Sequence, residues 1–395
     1  MNLKTYLMDL LPRVVNYRLA RLGLARPALP ITLTFSVTNR CQSRCRTCLI
    51  WQLYRDHPAR ADEELTLDEI ERTFRSMGHV YFFNVSGGEP FLRDDLPEII
   101  ELAMRHLTPG IVHIPTNALA PGRIERSTER ILEIIEGMDP RVPLTVKPSF
   151  DGVGTRHDEI RGVPGNWERL LDTIDRLKRV ARKHANLHVE LGTVVSRLNA
   201  DRLDEIAAYA HSLGVESYRN EVAEQRAEFF NEDDPITPSG EEYARLMKGF
   251  ARRTRAAVGG KRRLARITES FRLVYYEYAG RILRTGRQVL PCYAGVSNVH
   301  LNPYGEVWPC CVLAYHRPMG NVRETGYDFM QVWHSRRANE VRRFIVNRGC
   351  ACPLANQAYS NILCNLPAVA AVIGNIIKAD RSARRRGRSD DSRTR

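Results

Sequence analysis

The chain has 395 residues, of which 43% are hydrophobic and 27% charged, enough apolar material for two filled domains or one large one. No apolar run is long enough to span a bilayer. Lys4, Arg13, Arg18 and Arg21 interrupt the N-terminal apolar stretch, which excludes a secretory signal. The formal net charge is +13 and gathers at the ends, with five basic residues against Asp9 in 1–26 and eight basic against three acidic in 378–395. Seven more basic residues lie between Arg252 and Arg266. Such charge favours a membrane surface, nucleic acid or an acidic substrate, or simply a solvated face. Base stacking needs aromatic residues among the cations, and 252–266 has none, which disfavours nucleic acid.

In chain order, residues 1–30 open with Leu3, Leu7, Leu10, Leu11, Val14 and Leu22 at helical spacing among basic groups, an amphipathic helix. Residues 31–230 then alternate strand-like and helix-like segments. The strands are expected at Ile31–Thr38, Val80–Ser86, Gly110–Thr116, Val142–Phe150, His188–Ser196 and Val215–Val222. The helices are expected at Leu67–Met77, Leu96–Leu107, Ile124–Met138, Trp167–His184 and Ala200–Leu213, the first opened by a capping box of Thr66 and Glu69. Six such units predict an α/β fold with a parallel sheet, a partial (β/α)6 barrel or a doubly wound sheet, whose ligand site lies at the carboxyl ends of the strands. Asn231–Gly240 is polar with two prolines and opens a helical connector over 231–289. Residues 290–365 are short-segmented, Gly/Pro-punctuated and cysteine-bearing, as a small metal-stapled α+β extension would be. A second basic amphipathic helix follows at 366–379, with Leu366, Val369, Ile373, Ile376 and Ile377, and 380–395 has too little to bury to fold by itself.

The nine cysteines carry the chemistry. Cys41, Cys45 and Cys48 follow the first strand on one compact loop, interleaved with Arg44 and Arg46. Three thiolates suit a cubane that normally takes four protein ligands, so one iron is left open. At the end of the second strand stands Ser86-Gly87-Gly88-Glu89-Pro90, where the glycines allow close backbone approach to a ligand and Glu89 can accept hydrogen bonds from a cationic amine. Together these motifs resemble the radical S-adenosylmethionine (SAM) superfamily. The resemblance implies that the triad holds a [4Fe-4S] cluster whose open iron chelates SAM, and that Gly87, Gly88, Glu89 and Pro90 contact its amino group. It implies reductive cleavage of SAM to a 5′-deoxyadenosyl radical that abstracts hydrogen from a substrate, with an electron donor such as flavodoxin or ferredoxin. It extends through Thr116-Asn117, where Ala118 replaces the family's glycine, and Ser149-Phe150-Asp151-Gly152. It reaches His157-Asp158-x-Ile160-Arg161-Gly162 and Gly165-x-Trp167 as well. Thr116, Asn117, Ser149 and Asp151 are thereby cofactor-contact candidates, with Asp151 equally readable as a turn residue before glycine. Thr193 and Asn199 are softer candidates of the same kind.

Cys292, Gly305 and Cys310, followed by Cys350, Cys352 and Cys364, resemble the auxiliary-cluster extension called SPASM, or its shortened twitch form. Asn302-Pro303-Tyr304-Gly305 reads as a hairpin turn that delivers Cys310. Six cysteines remain outside the triad, and two fully ligated cubanes would need eight, so one auxiliary [4Fe-4S] cluster is expected. Its ligands are expected among Cys292, Cys310, Cys350 and Cys352, with Cys364 able to replace one and Cys311 pointing away. A zinc ion on the same thiolates is the alternative.

The expected function is a radical SAM enzyme in the cytoplasm or peripheral at the inner membrane surface. Its substrate is read from the basic, apolar ends as lipid-linked or carbohydrate. The alternative is a peptide- or protein-maturing enzyme, against which weighs the shortness of the segment before the first strand. The alternative of another class is a zinc-containing nucleic-acid-binding protein. For the two ends, packing on the core is the commoner arrangement and membrane association the sharper hypothesis.

Overall fold

The computed structural model describes the backbone of residues 3–258 and 263–391, and the side chains of 10–255 and 266–379. Leu3, Lys4 and Leu7, part of the Arg252–Arg266 run, and the basic tail lie outside the described side chains. Six parallel strands form the core: β1 (Thr32–Ser36), β2 (Phe82–Ser86), β3 (Ile111–Thr116), β4 (Leu144–Pro148), β5 (Leu187–Val195) and β6 (Ser217–Val222). They pair in sequence order as a partial (β/α)6 barrel. Each strand falls inside, or within a residue of, the apolar run that signals it, because β-branched and aromatic residues there are buried between barrel interior and outer helices. The helix Leu67–Met77 starts at the predicted capping box: Thr66 accepts from the Glu69 N–H while the Glu69 carboxylate accepts from the Thr66 N–H at 2.9 Å.

The second half of the chain covers both edges of this open sheet, which would otherwise present unpaired backbone. At one edge β7 (Asn298–Leu301) joins β1 in parallel, with Thr32 opposite Asn298. A hairpin follows, with β8 (Glu306–Trp308) antiparallel to β7 and the short β9 (Gly320–Asn321) antiparallel to β8, so nine strands make one sheet. Its turn is the expected Asn302–Gly305 segment: Asn302 Oδ1 accepts from the Tyr304 and Glu306 N–H groups, and Gly305 sits at φ 85°, which favours glycine. The sequence signals this hairpin but not its pairing with β1, which depends on contacts more than 200 residues apart.

At the other edge the connector helices Gly240–Val258 and Arg263–Thr285 pack Tyr243, Phe250, Val274, Tyr275 and Tyr276 against Leu191, Tyr218 and Val222. Arg272 reaches from the second of them to Glu190 of β5 at 2.6 Å and to the Tyr218 carbonyl of β6 at 3.4 Å. The last helix runs Leu366–Asp391, so regular structure continues into the stretch whose composition implies none. The physical reason is propagation: once a packed helix is nucleated, each added residue costs little, and arginine and alanine are good helix formers.

A further tie joins the halves. Glu69 accepts from Arg323 Nε and Nη2 at 2.9 and 3.0 Å and from the Tyr327 hydroxyl at 2.5 Å. Burial opposes ionisation of Glu69, but Arg323, Tyr327 and the Thr66 N–H outweigh it and hold the carboxyl near 2 instead of 4.5. A lowered carboxyl pKa stabilises the fold above its unfolded value, and that contribution is lost as pH falls from about 4.5 through about 2. Glu69→Gln is expected to cost about 1–2 kcal/mol at neutral pH. Denaturant titration checks it, and the difference from wild type should shrink as the medium is acidified across that window.

Candidate active site

The loop after β1 carries Cys41, Cys45 and Cys48, and three backbone segments pin it at the carboxyl ends of the strands. The Gly88 and Glu89 N–H groups donate to the Thr38 and Arg40 carbonyls, each at 2.8 Å. From the opposite side, Arg44 and Arg46 N–H donate to the Arg161 and Ile160 carbonyls at 3.0 and 2.9 Å, and Ser43 Oγ donates to Arg161 O at 3.0 Å. The segment after β6 closes the third side, with the Leu49 N–H on Phe229 O at 2.9 Å and Asn231 Nδ2 on Thr47 O at 2.8 Å.

This geometry changes the reading of the glycines. A Cβ on Gly87 would lie 2.1 Å from the Thr38 carbonyl oxygen, and one on Gly88 would lie 2.2 Å from that of Arg40. The missing side chains thus admit the cysteine loop's own backbone, whereas the sequence alone suggests approach to a ligand. Gly162 does the same from the other side, where a Cβ would stand 2.0 Å from the Arg44 oxygen. Pro90 is buried and opens the short turn after Glu89.

Glu89 is 1% exposed and accepts from the Thr116 hydroxyl at 2.9 Å, the Asn117 N–H at 2.6 Å and the Phe91 N–H at 3.2 Å. Burial raises its pKa to about 7 against these donors. Asn117 extends Nδ2 toward Cys41 Sγ at 3.6 Å and to Gln42 Oε1 at 3.1 Å. Ala118, where the family has glycine, is fully buried at φ 63°, a conformation that costs alanine about 1 kcal/mol or more. Thr116, Asn117 and Glu89 therefore converge beside Cys41.

Arg161 is the residue the motif reading passed over. It is largely buried, it donates to Asp151 Oδ2 at 3.1 Å, its Nε has no partner, and the Cys45, Asp151 and Cys41 charges push its pKa up against burial. Asp151 is 1% exposed and gives its other oxygen to the Val194 N–H at 2.8 Å. Its two oxygens are thus engaged inside the protein, which makes it more than a turn residue and favours a positioning role. Ser149 bridges to Gly192 on β5. Thr193 donates to Phe150 O, and Asn199 donates to Asp151 O at 3.0 Å, so both brace the Asp151 turn. Asp158 caps the next helix by accepting from Gly165 and Trp167 N–H, each at 2.7 Å, and His157 packs between Phe150 and Trp167.

The donor set fits a cluster. Burial, together with the neighbouring Cys45 and Glu89, raises the Cys41 thiol to about 12, and burial and Cys45 also raise Cys48 well above the usual thiol value. Such thiols ionise only when a metal takes the proton's place, and Arg161 supplies compensating charge.

The second set assembles from distant sequence. Cys292, Cys310, Cys350 and Cys352 feel one another's charge: Cys292 and Cys350 act on Cys310, and Cys310 and Cys292 act on Cys352. Burial is the larger cause in each, lifting Cys310 to about 12 and Cys350 to about 11. Cys364 is not among the thiols that act on Cys310 and Cys352. Its thiol is 3% exposed in a separate apolar cluster with Leu10, Tyr17, Tyr293 and Val296. Cys311 lies in the turn after β8, not on a strand, and faces Arg226 and Glu228. Among the described residues no three His, Cys, Asp or Glu side chains converge closely enough to share one ion.

A cavity beside the second set is lined by Thr34, Ser86, Arg226, Glu228, His300 and Cys310. Glu228 raises Cys48 on one side and Cys311 on the other. His300 Nε2 lies 2.7 Å from Ser36 Oγ and 3.5 Å from Glu228 Oε1, while Arg226 bonds Glu224 at 2.9 Å. No sequence pattern marks Arg226, Glu228 and His300, which come from the loop after β6 and from β7.

The radical SAM superfamily profile matches residues 35–210, and the iron-sulfur cluster-binding SPASM domain matches 292–353. The mycofactocin maturase MftC of Mycolicibacterium smegmatis is 26% identical over 79% of this chain and 72% of its own length. The pre-heme d1 synthase of Dinoroseobacter shibae is 30% identical over 54% of this chain and 47% of its own length, so the chain spans about half of that relative. Among solved structures, anSMEcpe with bound AdoMet and a Cp18Cys peptide superposes with a TM-score of 0.55 at 14% identity, covering 89% of this chain and 99% of that one, which is a likeness of fold. With a cysteine loop, a Gly-Gly-Glu brace and a second thiol set all in place, the chain belongs to the radical SAM superfamily and carries a SPASM-type auxiliary iron–sulfur domain.

Proposed function

We propose that the protein modifies a peptide by radical chemistry begun at a cluster on Cys41, Cys45 and Cys48. Cys292, Cys310, Cys350 and Cys352 would hold a second cluster, and Cys310 lines the cavity. The observation that carries the peptide reading is the mycofactocin maturase similarity, which runs through both domains. It favours the maturation alternative over the lipid-linked or carbohydrate substrate read from the chain ends. The cluster supplies the electron that cleaves SAM. The protein's own part is orientation and exclusion of water. Glu89 offers a buried carboxylate to the SAM ammonium, Thr116 and Asn117 hold that carboxylate in place, and Asp151 fixes Arg161 beside the thiolates. Gly87, Gly88 and Pro90 set the loop that carries Glu89, and Ser149 shapes the far wall. An electron donor of the flavodoxin or ferredoxin type completes the cycle.

Glu228 Oε1 and His300 Nε2 are the pair placed to take the proton that a substrate carbon radical would lose as its electron passed to a cluster held by the second cysteine set. Burial lowers the His300 pKa, so the imidazole is neutral and able to accept. Under anaerobic reaction with SAM, dithionite and peptides encoded beside the gene, a mass change in one peptide supports the reading. Turnover of a small molecule alone overturns it. Glu228→Gln should lower peptide product by about a hundredfold while 5′-deoxyadenosine formation persists. Gly162→Ala, which puts a methyl group against Arg44 O, should lower the iron bound at the first site and with it SAM cleavage, leaving the auxiliary iron in place. Iron analysis of the reconstituted variant decides that.

A further inference from the structure

The N-terminal helix Leu3–Arg21 and the C-terminal helix each present two apolar faces, of which the fold uses one. Leu10 and Tyr17 turn inward, whereas Leu11, Val15, Leu19 and Leu22 are 56%, 51%, 39% and 71% exposed. Steps of four, four and three residues set these four on one stripe. On the last helix Ala368 and Val372 are buried, while Leu366, Ile373 and Ile377 are 63%, 50% and 46% exposed, again at helical spacing. Single exposed apolar side chains are ordinary. Here, with Leu24 included, eight of the eleven large exposed hydrophobics among the described residues belong to the two chain ends. The ends also meet: Leu10 and Tyr17 pack with Leu363 and Cys364, at the turn that starts the last helix.

The charge around this face is positive. Arg18 and Arg26 are exposed on the N-terminal segment, and the last helix leads into a sequence with eight basic and three acidic residues over 378–395. A second copy of the chain would set one basic face against another, so repulsion opposes self-association. An anionic bilayer satisfies both properties at once: apolar side chains enter the headgroup boundary while the cations meet acidic lipids. No single described helix is long and apolar enough to cross a membrane. The bent pair Ala355–Leu363 and Leu366–Ala379 passes on composition, but Ala355 and Ile362 are committed to the protein core.

We infer that the two ends together form a docking face for an anionic membrane surface. The face lies away from the Cys41–Cys48 loop, although Arg21 of the same helix donates to Cys292 O at 2.6 Å. Arg13 donates to Pro30 O and His79 O, and Tyr17 donates to Leu29 O, all on the segments that lead into β1 and β2. The cysteine loop leaves the opposite end of those strands. The docked enzyme therefore takes its substrate from the aqueous side.

Flotation of the full chain with phosphatidylcholine vesicles, with and without phosphatidylglycerol, tests this. Wild type is expected to float with the phosphatidylglycerol vesicles, and raised salt is expected to release it. The exposed-site variant Leu11→Glu/Leu22→Glu/Ile373→Glu should bind at least about tenfold more weakly, with SAM cleavage unchanged. Equal flotation of wild type and variant, no flotation of wild type, or a wild-type dimer that the variant dissolves would each overturn the inference.

Discussion

The structure rests on backbone touching backbone around one loop. The Cys41–Cys48 segment has no regular structure to hold its thiols, so its position comes from three neighbours: the Gly87–Glu89 turn, the Ile160–Gly162 helix end and the segment after β6. At Gly87, Gly88 and Gly162 the approach is so close that any Cβ would strike a carbonyl oxygen of the loop or of the segment leading into it. Ligand geometry is thus fixed by strands β1, β2 and β6 and one helix at once, which is the preorganisation a radical reaction needs.

Charge is arranged around the same loop. A buried carboxylate, Glu89, and a largely buried guanidinium, Arg161, stand beside it; Thr116 and Asn117 donate to Glu89, and Arg161 donates to Asp151. Buried ionic groups cost stability unless fully paired. Glu89 keeps three donors and still has its pKa raised to about 7, and Arg161 keeps one free N–H. Such incompletely matched groups are expected where a charged cofactor completes the pairing.

Much of this was legible in the residues. Six strands, five helices, the capping box, the hairpin at Gly305 and the cysteine triad all follow local rules, because periodicity and turn chemistry act over a few residues. Three features were not legible. The pairing of β7 with β1 joins residues far apart in the chain, and no local pattern encodes it. The packing of Cys364 with Tyr17 of the N-terminal helix is a contact between distant parts of the chain. The cavity residues Glu228 and His300 carry no motif, since their chemistry comes from the strands that place them together. Arg161 was visible as a motif letter, and only geometry gives it a role.

The central claim is that two cysteine sets hold two clusters and that only the first cleaves SAM. Iron content and 5′-deoxyadenosine formation, measured together on anaerobically reconstituted wild type and the Cys41→Ala/Cys45→Ala/Cys48→Ala variant, test it most directly. The account predicts about eight iron atoms per wild-type chain and about four in the variant, with 5′-deoxyadenosine formed by the first alone. Undiminished 5′-deoxyadenosine from the variant, or a wild-type chain that takes up no iron, would contradict it.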